Sequence, residues 1–192
     1  MVRIGLTMDR LIEAGAKLAD EIGFDAVTPT ILAKVVGVKT ASLYSHFASI
    51  DELKKGIALL ALDRLADDIA QAIAGRSGKE AVVALANAHR DFARQHPGLF
   101  VAARYPLDAE MAARSGGVKI AQLMRSSLRG YMLGELAQVH AIRLLGSVFL
   151  GFSTLEAAGG FDHSQPTPED TWQVAFETLD AMLRSLSSKS SI

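Results

Sequence analysis

Residues 28–55 have the sequence TPTILAKVVGVKTASLYSHFASIDELKK. Thr28 can cap a helix through its hydroxyl, and Pro29 has the backbone angle that a first helical position prefers. Apolar residues then recur at helical spacing until Gly37, which can adopt the left-handed conformation of a tight turn between helices. The stretch therefore predicts a short helix, a tight turn, and a second helix from about Lys39 to Phe47.

The predicted second helix is apolar on one side only. Leu43 and Phe47 are one turn apart and would face inward, while the other sides carry Lys39, Thr40, Ser42, Tyr44 and His46. Side chains of these types reach base edges and phosphates from a helix in the major groove. Because helix pairs joined by a glycine turn are common in all-α proteins, the pattern also fits two ordinary packed helices.

A longer motif resembles the TetR/AcrR family of transcriptional repressors. The run from Gly37 to Phe47, GVKTASLYSHF, followed by Asp51-Glu52-Leu53, is similar to the end of that family's DNA-binding domain. Its pattern there is Gly-Val-Ser-x-x-(Thr/Ser)-(Leu/Ile)-Tyr-x-(His/Tyr)-Phe, followed by a start like Glu-Glu-Leu. Upstream, residues 11–18 (LIEAGAKL) and 23–28 (GFDAVT) resemble the family's first helix and the turn after it.

The resemblance implies which residues contact DNA. Phosphates would be bound by Ser42, Tyr44, His46 and the amide at the start of the helix after Phe47, and bases by Thr30, Lys39 and Thr40. The full candidate set is Thr28, Thr30, Lys39, Thr40, Ser42, Tyr44, His46 and Lys54. Thr30 stands where many members have Arg, and Ile50 where Lys is common. We therefore expect weak or salt-sensitive binding, or reliance on Lys34, Lys39, Lys54 and Lys55.

The charge balance is unusual for a protein that binds nucleic acid. The chain of 192 residues has a net charge of −1 and an isoelectric point near 6.5. Basic and acidic side chains are equal in number over residues 1–55. DNA binding would therefore depend on where the charges lie rather than on their sum.

Composition also restricts the compartment and the chemistry. The chain has no Cys, which excludes disulfides, thiolate catalysis and zinc fingers and is compatible with a reducing cytoplasm. The N-terminus has charged residues too early for a signal peptide. Arg3 there lies on an arm that could reach a phosphate or the minor groove, and a disordered terminus is the alternative interpretation. The apolar run 144–155 is too short to cross a bilayer. We therefore expect a cytoplasmic protein that does not associate with membranes.

Periodicity predicts an all-α fold of about nine helices, without a convincing strand or an internal repeat. A three-helix helix-turn-helix DNA-binding domain would occupy residues 1–52. A long helix from about residue 50 to 74 would join it to an α-helical ligand-binding and dimerisation domain, residues 53–192. The other predicted helices cover residues 8–22, 79–95, 99–104, 118–132, 135–158 and 169–186, and the segment 106–117 is a loop with the early part of a helix.

Aromatic and methionine side chains of the second domain can enclose an apolar cavity, with polar groups to orient a ligand. The candidate ligand-binding residues are His89, Phe92, Phe100, Tyr105, Met124, Phe149, Phe152, Glu156 and Trp172. A Phe or Met at helical spacing is more often ordinary core packing. Residues 144–161 resemble a TetR C-terminal subfamily with the pattern Trp-x-x-x-His-Gly-x-x-x-Leu-Glu, but Leu150 replaces the His and no Trp precedes it, so those two positions predict no ligand contact.

A stripe of small residues follows the predicted helix 135–158: Gly146, Ser147, Gly151, Thr154, Ala157 and Ala158. Family members dimerise through their last two long helices, and this stripe with Val174, Leu179, Met182 and Leu186 would suit such an interface. Close packing of helices within one subunit is the alternative interpretation. A homodimer would also present two recognition helices to two half-sites of a palindromic operator.

No motif predicts an enzyme. His89-Arg90-Asp91 matches a kinase tripeptide, yet the other kinase motifs are missing, and no metal-binding, nucleophile or phosphate-loop pattern occurs. We expect no cofactor and no metal. The sequence predicts a homodimeric repressor that binds a double-stranded operator and is released by a small-molecule effector. The alternative is a helical protein that binds small molecules or other proteins, with weak or lost DNA binding.

Overall fold

The computed structural model describes residues 6–189, and within them it contains ten α-helices and no strand. The all-α prediction is therefore confirmed. In chain order the helices are α1 (Met8–Ile22), α2 (Pro29–Val36), α3 (Thr40–Leu43), α4 (Ile50–Ile73), α5 (Gly78–Gln95), α6 (Pro97–Ala102), α7 (Ala109–Ala113), α8 (Gly116–Ser127), α9 (Glu135–Ala157) and α10 (Pro168–Lys189). Two short 3₁₀ helices span Phe24–Ala26 and Arg129–Tyr131. Arg3, considered above as a DNA contact, lies outside the described residues.

The helix beyond the predicted nine is α7, in the segment predicted to be mostly loop. Asp108 caps it, because its carboxylate accepts a hydrogen bond from the backbone N–H of Met111 at 2.9 Å. The helix predicted over 118–132 is shorter at its end: α8 stops at Ser127, and the chain continues as a 3₁₀ turn. Met132 then has a positive φ of 52°, a conformation that cannot continue a helix.

Side-chain caps and glycines define the helix ends in the first part of the chain. Thr7 caps α1 and Thr28 caps α2, each accepting a backbone hydrogen bond at 3.3 Å. Ser49 caps α4 in the same way, through the N–H of Glu52. Gly23 and Gly37 have φ values of 89° and 73° and end α1 and α2. These features match the predicted boundaries.

The chain packs as two compact units. The first comprises the described part of Met1–Arg64 with Gln95–Gly117, and the second comprises Leu65–Arg94 with the described part of Val118–Ile192. The first unit thus contains α6 and α7 in addition to the helix-turn-helix, because the chain returns to it after α5. The functional division into residues 1–52 and 53–192 stays a prediction.

In the first unit, α6 packs closely on the end of α1. A Cβ added at Gly98 would overlap the backbone carbonyl of Ala19, so only glycine permits this approach. The Asp20 carboxylate accepts a hydrogen bond from the N–H of Leu99 and contacts His96 Nδ1, both at 2.9 Å. Asp20 therefore caps α6 from a neighbouring helix.

In the second unit, α9 and α10 pack together and enclose most of the core with α5. Phe149, Trp172 and Leu183 have at most 1 % of their surface exposed. Tyr131, from the 3₁₀ turn before α9, donates a hydrogen bond to Asp180 of α10 at 2.7 Å. Burial, and then this hydrogen bond, raises the pKa of the Tyr131 hydroxyl well above its usual range. The connection between α8 and α9 is thus fixed to α10.

Among residues 6–189, α9 alone is long and apolar enough to cross a membrane. Only 22 % of its most apolar stretch is buried within the protomer. Length and composition by themselves are weak support for a membrane span, since helices that pack against other protein share both properties.

Candidate DNA interface and effector region

The turn between α2 and α3 has the geometry of a helix-turn-helix. Gly37 has the left-handed conformation, with φ 73° and ψ 33°, and the N–H of Val38 donates a hydrogen bond to the carbonyl of Ala33 at 3.0 Å. Leu32 and Leu43, one on each helix, are completely buried. This buried pair fixes α3 against α2, so that the remaining sides of α3 are presented to solvent.

The second helix of the motif is shorter than predicted. The sequence predicted a helix from Lys39 to Phe47, but α3 covers only Thr40–Leu43, and residues 44–46 form a turn. The N–H of His46 bonds to the carbonyl of Leu43, three residues earlier, at 2.8 Å. Such i to i−3 bonds tighten the end of a helix, and Phe47 is buried directly after them.

The eight predicted DNA-binding residues are accessible to different degrees. Thr28, Thr30, Lys39, Ser42 and Tyr44 are exposed, whereas Thr40, His46 and Lys54 are half-buried. The Tyr44 ring is 55 % exposed and meets Phe47 edge to face, with 5.8 Å between ring centroids. Lys54 Nζ lies 5.0 Å from the centroid of the Phe24 ring. Their roles on DNA stay predictions.

The chain itself already uses part of the predicted phosphate-binding surface. The N–H of Ala48, just after Phe47, donates to Glu52 Oε2 at 2.7 Å. Lys55 pairs with Asp51 at 2.9 Å. By contrast, Lys34 and Lys39 are exposed and form no ion pair within residues 6–189. Of the lysines in residues 28–55, Lys34 and Lys39 are therefore the two that are both exposed and without an ion pair in the described part of the chain.

The structure groups five of the nine predicted ligand-binding residues in the second unit. The Trp172 ring lies 4.6 Å from Phe152 and 6.2 Å from Phe149, and the Phe149 ring lies 5.5 Å from His89. Glu156 is one turn beyond Phe152 on α9. Trp172 and Phe149 are, however, fully buried, so this cluster is a filled core rather than an open cavity.

The other four predicted ligand-binding residues lie in both units. Phe92 and Met124 are buried in the second unit. Phe100 and Tyr105 belong to the first unit, where the Tyr105 ring meets Phe24 edge to face at 5.5 Å. All nine stay predictions as ligand contacts.

His89 is the polar member of the aromatic cluster. Its Nδ1 lies 2.9 Å from the carbonyl of Leu85, one turn earlier on α5, so Nδ1–H donates there and Nε2 is the acceptor of the neutral ring. Burial lowers the pKa of His89 below the ordinary imidazole value. The neutral form is therefore favoured.

Sequence reasoning missed Arg90, the charged group at the centre of this region. Its side chain is 3 % exposed and pairs with Glu156 at 2.5 Å and Glu169 at 2.8 Å. The guanidinium carbon lies beside the contacting rings of Phe152 and Trp172, 5.2 and 5.1 Å from their centroids. Its hydrogen bond with Glu156 raises the pKa of Arg90, and the same bond lowers that of Glu156. The only signal in the sequence is the position of Arg90 on the buried side of α5.

An open cleft of about 520 Å³ lies elsewhere in the second unit. Its lining comes from the end of α4, the following turn and one side of α5, and contains none of the nine predicted residues. The lining residues are Ala72, Arg76, Lys79, Glu80, Val83, Ala84, Asn87, Ala88 and Asp91.

The small-residue stripe of α9 is not covered within the protomer. A Cβ added at Gly146 or Gly151 would meet nothing within 4 Å, so these glycines do not serve close packing inside the subunit. Val174 on α10 is 65 % exposed, whereas Leu179 is buried and so unavailable to a partner. The packing alternative considered for this stripe is thus not supported at the two glycines.

Two short helices joined by a left-handed glycine, with polar and basic side chains on the exposed sides, define a helix-turn-helix DNA-binding protein. Residues 11–57 match the family described as bacterial regulatory proteins, tetR family, and residues 82–179 match the tetracyclin repressor-like C-terminal domain. The chain belongs to the TetR family of DNA-binding transcriptional regulators. This is not an enzyme family.

Relatives agree with this assignment. The chain is 30% identical over 161 residues to the uncharacterized HTH-type transcriptional regulator Rv0681 of Mycobacterium tuberculosis. The aligned region covers 82% of this chain and 73% of that protein. It is 29% identical over 163 residues to YobS of Bacillus subtilis, another uncharacterized HTH-type regulator, covering 85% of each chain. The fold is similar to that of a TetR variant from Acinetobacter baumannii in complex with minocycline, with a TM-score of 0.68, 19% identity, and coverage of 98% and 100%.

Proposed function

We propose that this protein is a homodimeric, cytoplasmic repressor that binds a palindromic operator and leaves it when a small molecule binds. The observation that carries the proposal is the exposed surface of α3 and the turn after it. Lys39, Ser42 and Tyr44 are exposed there, on a helix held in place by the buried Leu43. Such a surface suits the major groove and the phosphates beside it.

The uncovered sides of α9 and α10 support dimerisation. Leu136, Leu144 and Leu155 of α9 are 71%, 47% and 52% exposed, and a Cβ added at Gly146 or Gly151 would meet nothing within 4 Å. Exposed apolar side chains in one stripe are typical of protein interfaces. A second copy that packs on this stripe would place two recognition helices on one duplex.

Release by a small molecule is supported by the helical second unit and by the similarity to a TetR that was crystallised with minocycline. A ligand can shift the protein away from its DNA-bound form only if it binds the two forms with different affinities. DNA and effector should therefore weaken each other's binding by the same factor.

A second candidate function follows from the internal bonds at the start of α4. Asp51 forms an ion pair with Lys55, and Glu52 accepts the hydrogen bond of the Ala48 N–H. The chain has Thr30 and Ile50 at two positions where basic residues are common in the family. These features favour a helical protein that binds a small molecule or another protein, with weak DNA binding.

Selection of bound duplexes from a random library would separate the two. The repressor proposal predicts enrichment of a palindrome whose half-sites lie about 34–36 Å apart, or a multiple of that spacing. The selection should be repeated with Lys39→Ala and, as the matched control, with Lys17→Ala, because Lys17 is an exposed lysine of α1 outside the motif. If no sequence is enriched at low salt, the repressor proposal fails and the second candidate is favoured.

A further inference from the structure

We propose that the cleft beside α5 binds a small, uncharged, apolar molecule through a carbonyl or similar acceptor oxygen, which receives a hydrogen bond from Asn87. This inference rests on the proposed function, because it assigns a place and a chemical class to the effector. The aromatic cluster is a poorer place, since Phe149 and Trp172 are buried and the rings of Phe152 and Trp172 are in contact, with 4.6 Å between their centroids.

Size and lining suit a small molecule. The volume of about 520 Å³ lies within the range of roughly 300–1,000 Å³ that is usual for ligand pockets. Ala72, Val83, Ala84 and Ala88 provide short apolar side chains along the end of α4 and one side of α5. An apolar molecule in the cleft would be removed from water on this side, which is the main source of its affinity.

Asn87 provides a donor whose orientation is fixed by a neighbour. The indole N–H of Trp172 donates to Asn87 Oδ1 at 2.8 Å. An indole nitrogen can only donate, so the amide oxygen of Asn87 must face Trp172 and its NH₂ group must face away from it. Among the described residues this NH₂ group has no hydrogen-bond acceptor, and Asn87 lines the cleft. A ligand oxygen would therefore complete its bonding.

The charges at the rim argue for an uncharged ligand. Arg76 and Lys79 are balanced by Glu80 and Asp91. Lys79 Nζ is also paired with Glu177, at 2.6 and 2.7 Å, and the Arg76 guanidinium donates to the carbonyl of Ala72. A ligand with a net charge would thus gain little attraction from the rim and would lose its hydration.

The same site is connected to the helices proposed for dimerisation. Asn87 holds Trp172 of α10, and the Trp172 ring lies 4.6 Å from Phe152 of α9. A ligand that bonds to Asn87 would therefore bind next to a residue that packs α10 on α9. This contact gives an effector a means to favour one arrangement of these helices over another.

The test uses Nile red, an uncharged apolar dye with a carbonyl oxygen, and the full-length protein. Binding is followed by the dye's fluorescence. Asn87→Asp keeps the acceptor for Trp172 but removes the donor, and it should weaken binding about tenfold, as expected for a lost hydrogen bond. Ala84→Phe fills the cleft and should abolish binding. Gln122→Glu, an equal charge change at an exposed position of α8, should bind as the wild type does.

Thermal unfolding of each variant checks that it folds. If either Asn87→Asp or Ala84→Phe binds the dye as tightly as the wild type, the cleft is not the site and the proposal is overturned. Operator binding is measured on the same preparations. If the wild type binds the operator duplex but does not bind the dye in the cleft, this inference alone is overturned. If the wild type does not bind the duplex, the proposed function is overturned.

Discussion

The hydroxyl of Tyr105 donates a hydrogen bond to Asp51 Oδ1 over 2.8 Å. Asp51 lies in the first turn of α4, and its other carboxylate oxygen lies 2.9 Å from Lys55 Nζ. The hydrogen bond from Lys55, followed by that from Tyr105, lowers the pKa of Asp51, which is therefore charged at neutral pH. A carboxylate at this place repels phosphate and holds one of the lysines that the proposed DNA contact needs.

Replacing Asp51 by Asn should strengthen DNA binding. The substitution frees Lys55, while the amide oxygen can still accept from Tyr105. We expect operator affinity to rise by about threefold or more at low salt, and the salt dependence to steepen by about one phosphate contact per subunit. Fluorescence anisotropy of a labelled operator, titrated at several salt concentrations, measures both quantities.

Asp63→Asn is the matched control, because Asp63 is exposed further along α4 and its carboxylate forms no hydrogen bond or ion pair within the described residues. It makes the same change in net charge away from the proposed contact. Equal effects of the two variants would mean that general charge, and not the release of Lys55, governs affinity.

Tyr44→Ala should weaken binding to every sequence alike. The ring is largely exposed and is assigned to a phosphate, which carries no base information. Affinity for the operator and for an unrelated duplex should fall by the same factor. A selective loss on the operator would show instead that Tyr44 contacts a base.

Thr40→Ala should alter preference at a single base pair. Thr40 is the first residue of α3 and is assigned to a base edge, a contact worth about 1–3 kcal/mol of discrimination. Binding is measured to operators that carry each base at every position of one half-site. An unchanged preference throughout the half-site would remove Thr40 from the base contacts.

Most helix boundaries could be predicted from the sequence because the residues that begin and end a helix lie within a turn of the boundary. Caps such as Thr28 and left-handed glycines such as Gly37 act within one turn of the chain, so the sequence shows them directly. The end of α3 was harder, because three residues after Leu43 form a tightened turn that helical spacing does not reveal. The candidate effector region depends on distant residues. The bond between Asn87 and Trp172 joins positions 85 residues apart, and no periodic pattern indicates it.

Removing the Glu156 carboxylate should destabilise the protein strongly. Glu156→Ala removes two hydrogen bonds from the buried Arg90, which keeps its ion pair with Glu169, and leaving buried donors unpaired costs about 1–3 kcal/mol. Glu177→Ala removes an ion pair of similar distance whose carboxylate is 74% exposed, and it should cost less than about 1 kcal/mol. Urea unfolding at one fixed protein concentration compares them. Similar costs would mean that Arg90 is adequately solvated or re-paired.

The same ion pair should make stability depend on pH. The hydrogen bond from Arg90 lowers the pKa of Glu156 from its usual 4.5, so the folded state binds this proton less readily than the unfolded state does. The stabilisation is complete above about pH 4.5 and is lost as pH falls through the lower, folded pKa. Compared with the wild type, Glu156→Gln should therefore lose less stability on acidification below pH 4.5, as measured by urea unfolding. If the free energy of unfolding falls equally with pH in both proteins, Glu156 is not the group responsible for the acid sensitivity.

Gly151 allows the proposed dimer interface to be tested apart from the fold. A side chain at this position meets nothing within the protomer, so Gly151→Leu should not lower protomer stability. On a face that packs against a second copy, the added side chain would separate the helices. We expect the dimer dissociation constant to rise by about tenfold or more, with a loss of operator affinity because both half-sites are needed. Ala121→Leu, at an exposed position of α8, is the control. Sedimentation equilibrium measures the dissociation constants. If Gly151→Leu dimerises as the wild type does, the exposed stripe of α9 is not the dimer interface.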